Sequence, residues 1–157
     1  MQNHTNASLL SPLWAAKRTV VVLLTSLLLA SCTEGGAPLE VADAYVRQPP
    51  PGMKMTAAFA TLSNPGNDAV VLTGASSEGF SSVSIHETAL VDGVARMRPV
   101  PQLEVGPGET VVLEPGGLHL MLMGAQGPVS ADQTVSVTLQ LGDGEQMIIE
   151  MPVRAPR

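Results

Sequence analysis

The chain has 157 residues and a formal charge of −6. Residues 33–157 contain six Lys or Arg and 14 Asp or Glu, so this part carries a formal charge of −8. A nucleic-acid-binding surface needs a basic footprint, and we therefore expect no nucleic acid as a partner. Because only Tyr45, Phe59 and Phe80 are aromatic in residues 33–157, a platform for stacking bases or sugars is also not expected.

An export signal is predicted at the N-terminus. Lys17 and Arg18 precede an apolar run at residues 19–29, which is too short to span a bilayer comfortably. The run ends in Leu-Ala-Ser-Cys at residues 29–32, which resembles a bacterial lipobox. We therefore predict a lipoprotein signal peptide at 1–31, lipid attachment at Cys32 and an extracytoplasmic, membrane-anchored protein, in a periplasm or on the outer face of the cell membrane. A plain signal peptide followed by an unmodified cysteine is the alternative.

A short tether at residues 32–38 and one domain at residues 39–157 are predicted after the signal. Short runs rich in Val, Thr, Leu and Ile alternate there with Gly, Pro, Asn and Asp turn signals. We predict nine strands, at residues 39–47, 56–62, 69–76, 82–90, 94–100, 110–113, 118–123, 133–141 and 146–153. Nine short strands at this spacing favour a single all-β domain, an immunoglobulin-like antiparallel Greek-key β-sandwich.

The predicted strand at 118–123 has two chemically different faces. Leucine occupies positions 118, 120 and 122, whereas His119, Met121 and Met123 occupy the alternate positions. Side chains in a strand alternate between faces, so the leucines can pack in the core while the imidazole and two thioethers share the other face. If both faces were buried, the imidazole would still need a hydrogen-bond partner.

A hairpin is predicted around the Asp-Gly sequence at positions 92–93, which favours a two-residue type I′ turn. With that turn, residues whose numbers sum to 185 lie opposite each other. Thr88 then faces Met97, and His86 is a diagonal neighbour of Met97 on the same face. Diagonal neighbours in a sheet are within reach of long side chains.

Imidazole and thioether groups together indicate copper(I). Thioether sulfur is a soft, uncharged ligand, whereas zinc prefers thiolate, imidazole or carboxylate and calcium requires oxygen. Methionine is more often a core gap-filler, and a single histidine is more often structural than a ligand. The two His/Met pairs form one site only if the fold brings their strands together, which the residue pattern leaves open.

The spacing of these four residues resembles the PCuAC family of periplasmic copper chaperones. The family pattern is His or Met, ten residues, Met, twenty-one residues, His, one residue and Met. Here His86, Met97, His119 and Met121 match all four positions. The segments 85–87, 94–99 and 115–124 are also similar to the family, and the resemblance extends over about residues 41–152.

The resemblance implies a cupredoxin-like β-sandwich that binds copper(I) through those four residues and is not an enzyme. It also implies delivery of copper to the binuclear site of cytochrome c oxidase subunit II, alongside a Sco-type thiol assembly protein. Thr88 stands where relatives often have a further methionine. Met123, Met53 and Met55 are weaker candidates, as auxiliary ligands.

Other classes of protein fit the sequence less well. A blue-copper electron-transfer protein needs a cysteine thiolate, and the only cysteine is Cys32. A hydrolase is not favoured because the sequence contains no Gly-x-Ser-x-Gly motif. Two alternatives remain open: a lipoprotein that buffers copper or confers resistance to it, and a β-sandwich interaction module that binds no metal.

Overall fold

Ten strands make up the domain in the computed structural model, which describes residues 38–156. The predicted signal peptide, the lipid attachment at Cys32 and nearly all of the predicted tether lie outside this range. The strands are β1 Glu40–Arg47, β2 Met55–Ser63, β3 Val70–Ser76, β4 Phe80–Val91, β5 Val94–Pro99, β6 Leu103–Val105, β7 Thr110–Leu113, β8 Leu118–Ala125, β9 Thr134–Leu141 and β10 Gln146–Arg154. Residues 38–156 include no helix of the length and apolarity needed to cross a membrane.

The nine predicted strands all form, with ends that differ by a few residues. The strand that was not predicted is β6, which has only three residues and pairs with β3 through Val70↔Val105 and Leu72↔Leu103. Three residues give too little alternation to be recognised in a sequence. Its two apolar side chains are buried, so tertiary packing rather than local propensity holds this segment extended.

Seven strands close on themselves in the order β4-β8-β2-β1-β10-β9-β3 and back to β4, and β5, β6 and β7 add to β4, β3 and β2. The all-β, sandwich-like class is therefore confirmed. The expectation of a wholly antiparallel sheet is wrong at one place, because β1 and β10 pair in parallel at Val46↔Val153 and Arg47↔Arg154. Parallel neighbours need a long connection, and here the remaining strands of the domain provide it.

The core consists almost entirely of aliphatic side chains from the inward face of each strand. Leu62, Leu72, Leu122 and Val137 are fully buried, and Phe80 is the aromatic member of this core cluster. Burial of this apolar area is the main driving force for folding. The outward faces of β4, β5, β8 and β2 are not part of this core. They carry most of the candidate metal-binding residues predicted from the sequence.

Candidate metal centre

The β4–β5 hairpin has the register predicted from its turn. Asp92 and Gly93 both have positive φ, 54° and 77°, as a type I′ turn requires. Thr88 lies opposite Met97, and the turn-proximal pair is Val91↔Val94. His86 and Met97 are therefore diagonal neighbours on one face, and this prediction is confirmed.

Strand β8 also shows the predicted alternation. Leu120 and Leu122 are buried in the core cluster, whereas Met121 is half-buried and Met123 is 37% exposed. His119 lies on the same face as the two methionines, yet it is only 4% exposed. Neighbouring side chains therefore cover this imidazole on the outer face of the sheet.

Pairing between β4 and β8 brings the two His/Met pairs together. His86 lies directly opposite His119, and their ring centroids are 6.1 Å apart. An imidazole nitrogen binds a metal ion at about 2 Å, so two rings that share one ion have centroids on the order of 6 Å apart. The convergence left open by the sequence is thus present for the histidines.

The two methionines flank this histidine pair on opposite diagonals. Met97 lies level with Thr88 on the edge strand β5, and Met121 lies level with Ser84 on β8. Met121 is half-buried, whereas Met97 is 51% exposed. The arrangement therefore combines two imidazoles and one covered thioether with a second thioether at the solvent-exposed edge.

A hydrogen bond from its imidazole to a backbone carbonyl determines which nitrogen of His119 is available to bind a metal ion. Its Nδ1 lies 3.0 Å from the carbonyl oxygen of Gly117, and a carbonyl can only accept a hydrogen bond. In the neutral ring Nδ1 therefore carries the proton and donates it to Gly117. The lone pair is then on Nε2, the nitrogen that could bind a metal ion.

His86 has one bonded and one unsatisfied nitrogen. Its Nε2 lies 3.0 Å from Ser84 Oγ, and its Nδ1 is buried with no hydrogen-bond partner among the described residues. Burial, and secondarily the proximity of His119, lower the pKa of His86. A buried nitrogen without a partner costs free energy, and coordination of an ion would satisfy it. The neutral ring favoured by the lowered pKa is also the form that binds metals.

The weaker candidates lie further along the same face. Met55 pairs directly with Met123, next to the Ala57↔Met121 pair. Met53 is 51% exposed in the turn before β2 and borders a different cavity, together with Ala125. Since Ala125 is six residues from His119 on β8, Met53 lies roughly 20 Å from the histidine pair along the strand. Of the three, Met123 and Met55 are therefore nearer to the candidate site.

Aromatic rings extend the site in a direction that was not predicted. Phe59 lies 6.4 Å from His119 and 5.1 Å from Tyr45, measured between ring centroids. We call His86, His119, Phe59 and Tyr45 the ring row. Phe59 is 3% exposed, and its ring shields one side of His119 from solvent. The alternation of side chains along β2 predicts the face of the sheet on which Phe59 lies. Only the pairing of β2 with β8 shows that Phe59 lies beside His119.

Within residues 38–156, no group of three or more His, Cys, Asp or Glu side chains is placed to hold a metal ion. The donors that the fold does gather are imidazole nitrogen and thioether sulfur, a set that suits copper(I) better than zinc or calcium.

Comparison with known proteins assigns the family. Residues 39–153 match the family described as "Putative lipoprotein LpqE-like". "Putative lipoprotein Lxx21020" from Leifsonia xyli subsp. xyli (strain CTCB07) is 37% identical over 117 residues, 74% of this chain and 69% of the relative.

Solved structures give the same result for the fold. The solution structure of CuI-DR1885 from Deinococcus radiodurans is 30% identical, with a TM-score of 0.61 over 78% of this chain and 83% of that chain. The apo PCuAC domain from PmoF1 has a TM-score of 0.64 and covers 76% of this chain and 96% of that chain. At 23% identity, this second likeness shows the fold alone. The chain is therefore a member of the LpqE-like (PCuAC) family, a copper-binding and non-enzymatic family.

Proposed function

We propose that the protein binds one copper(I) ion through His86, Met97, His119 and Met121 and delivers it to the binuclear copper site of cytochrome c oxidase subunit II. The observation that carries the binding half is the buried Nδ1 of His86, which has no hydrogen-bond partner among residues 38–156, in a ring whose centroid lies 6.1 Å from that of His119. The delivery half is carried over from the PCuAC family.

The chemistry of the donors suits a carrier. Two imidazoles and two thioethers are neutral, so the loaded site keeps only the charge of the ion. They hold copper(I) without a thiolate, which in an oxidising compartment would be prone to disulfide formation. A site without thiolate also binds the ion less tightly, which favours its release to an acceptor.

The geometry suggests an order of ligand exchange. Met97 is on the edge strand and is half exposed, whereas His119 is almost fully covered. We expect ligands of the acceptor to replace the Met97 thioether first and the covered imidazole last. Stepwise exchange of this kind keeps copper(I) bound by protein throughout the transfer.

The protein acts, in this proposal, at the outer side of a membrane. Membership of a lipoprotein family supports lipid attachment at Cys32, with residues 32–38 as a tether and residues 39–157 as the domain. The formal charge of −8 in residues 33–157 attracts cations to the domain. A Sco-type thiol protein would act beside it at the same oxidase.

Binding is tested by titrating the apo protein against a colorimetric copper(I) chelator. We expect one ion per chain and competition with the chelator. Delivery is tested separately, by recording NMR spectra while the copper-loaded protein is mixed with the apo copper domain of oxidase subunit II. Appearance of the copper-bound acceptor spectrum supports delivery. One-to-one binding without transfer would leave a copper buffer, and no binding at all would remove both halves of the proposal.

A further inference from the structure

The far end of the ring row carries two arginines side by side. Arg47 on β1 and Arg154 on β10 are Cα partners in the parallel ladder, so their side chains start from the same face of the sheet. Like charges directly opposite each other in a sheet are destabilising. An arrangement that costs stability therefore needs a compensating interaction.

Both guanidinium groups are held against aromatic rings. The Cζ atom of Arg47 lies 5.2 Å from the centroid of Phe59, and that of Arg154 lies 4.7 Å from the centroid of Tyr45. Such cation–π contacts restrict the guanidinium groups, while leaving N–H groups available to donate hydrogen bonds. The two arginines are thereby positioned before any ligand arrives.

The two groups border one cavity of about 480 Å³, which is within the size range of small-ligand sites. It is lined by Tyr45, Arg47, Pro115, Arg154, Ala155 and Pro156. Both arginines are exposed and so can be reached from solvent.

Neither arginine has an acidic partner within residues 38–156. The ion pair found there joins Arg98 to Glu87, and the hydrogen bonds of the described side chains include none from Arg47 or Arg154. Two neighbouring cations with no acidic partner among residues 38–156 thus face a common cavity.

We propose that Arg47 and Arg154 form a binding site for a single small oxyanion, a carboxylate or a phosphate group. A planar guanidinium donates two parallel hydrogen bonds to either group, and two guanidinium groups can hold one anion between them. The phenol of Tyr45 offers a further donor in the same cavity. The negative charge of the domain repels polyanions, so the ligand that fits is small.

NMR of the copper-free full chain tests the site without reference to copper. The Nε–H signals of the arginines are followed during separate titrations with sodium acetate, sodium phosphate and glycerol 3-phosphate, against sodium chloride at equal ionic strength. We expect saturable shifts at Arg47 and Arg154 that chloride does not produce. The tighter binder among acetate and the two phosphates identifies the ligand class, and preference for glycerol 3-phosphate over phosphate indicates a lipid headgroup.

Substitutions separate this site from general charge effects. The double variant Arg47→Gln/Arg154→Gln should bind the anion at least tenfold more weakly, whereas Arg96→Gln, at an exposed arginine of β5, should bind as the native protein does. The proposed site is wrong if chloride produces the same shifts or if the Arg96 signal shifts equally. It is also wrong if the double variant binds the anion as tightly as the native protein does. If the arginines only cover the rings, the double variant loses thermal stability and no anion raises the melting temperature of the native protein.

Discussion

His86 and His119 lie directly opposite each other across the β4–β8 ladder, with ring centroids 6.1 Å apart. This one pairing joins a hairpin to a strand that begins some twenty residues later in the chain. It also fixes the positions of Met97 and Met121, because each lies at a set register from one of the histidines. Substitutions at and around this pair therefore test how the candidate site binds copper(I).

Removal of either imidazole should abolish tight copper(I) binding. Loss of partners that only orient a ligand typically costs 10–100-fold in metal affinity, so we expect His86→Ala and His119→Ala to weaken binding by more than about 100-fold. Met147→Ala, on β10 outside the site, should bind copper(I) as the native protein does. Chelator competition measures all three affinities, and thermal melting checks that each variant folds. Native affinity in His119→Ala would exclude this histidine from the site.

Replacement of Met97 by leucine should separate copper binding from stability. The side chain is 51% exposed, so Met97→Leu should change the free energy of unfolding by less than about 0.5 kcal/mol. The loss of the thioether should still weaken copper(I) binding by at least about tenfold, or about 1.4 kcal/mol. Met53→Leu is the matched control, since Met53 is equally exposed but far from the histidine pair. Equal affinities of the two variants would refute the role of Met97.

Local chemistry made part of this site predictable from the sequence. The Asp92-Gly93 turn fixes the register of the β4–β5 hairpin, and alternation in β8 separates His119 and Met121 from the core leucines. Both arise from residues close together in the chain, where turn type and the two-residue period of a strand determine geometry.

The parts that the residue pattern did not predict depend on strands distant in sequence. The pairing of β4 with β8, which aligns His86 with His119, is set by how the whole sheet closes. The parallel β1–β10 ladder and the three-residue strand β6 arise from the same closure. Such pairings need tertiary packing, because β propensity depends strongly on context. The expectation that the four candidate ligands converge came from the family resemblance, because local patterns do not predict it.

Ser84 should act on copper binding through His86. Its Oγ lies 3.0 Å from His86 Nε2. When Nε2–H donates to this hydroxyl, the lone pair of the neutral ring is on Nδ1, which has no hydrogen-bond partner among residues 38–156. Outer partners of this kind orient the ligand, so we expect Ser84→Ala to weaken copper(I) binding by about tenfold. Ser82→Ala changes the next serine on the same face of β4, which pairs with Met123. Chelator titrations should show a loss only for Ser84→Ala, and a similar loss in both variants would contradict the orienting role.

The stability of the apo protein should fall in mildly acidic solution because of His86. Burial, followed by the nearby His119, lowers the pKa of His86 below its ordinary value near 6.5. The folded state therefore binds fewer protons than the unfolded state, and this contribution to stability is complete above about pH 6.5. It is lost as the pH falls from there towards the lowered pKa of the folded state.

Thermal melting of the native protein and of His86→Gln between pH 8 and pH 5 measures this contribution. The advantage of the native protein over the variant should be larger at pH 8 than at pH 5. The difference between the two proteins cancels the titration of the carboxylates that they share. A difference that stays constant over this range would show that His86 titrates normally in the folded state.

The turn that sets the position of Met97 should tolerate alanine poorly. Gly93 has a φ of 77°, in the left-handed region, where an L-residue with a side chain is strained by about 1–2 kcal/mol. Gly93→Ala should therefore destabilise the hairpin and also weaken copper(I) binding, because Met97 depends on its register with Thr88. Gly79→Ala is the matched control: Gly79 also has open space around its Cα, but its φ is not in that region. Urea unfolding and chelator titration of both variants should show losses only for Gly93→Ala, and unchanged copper affinity there would mean that the thioether reaches the ion without help from the turn.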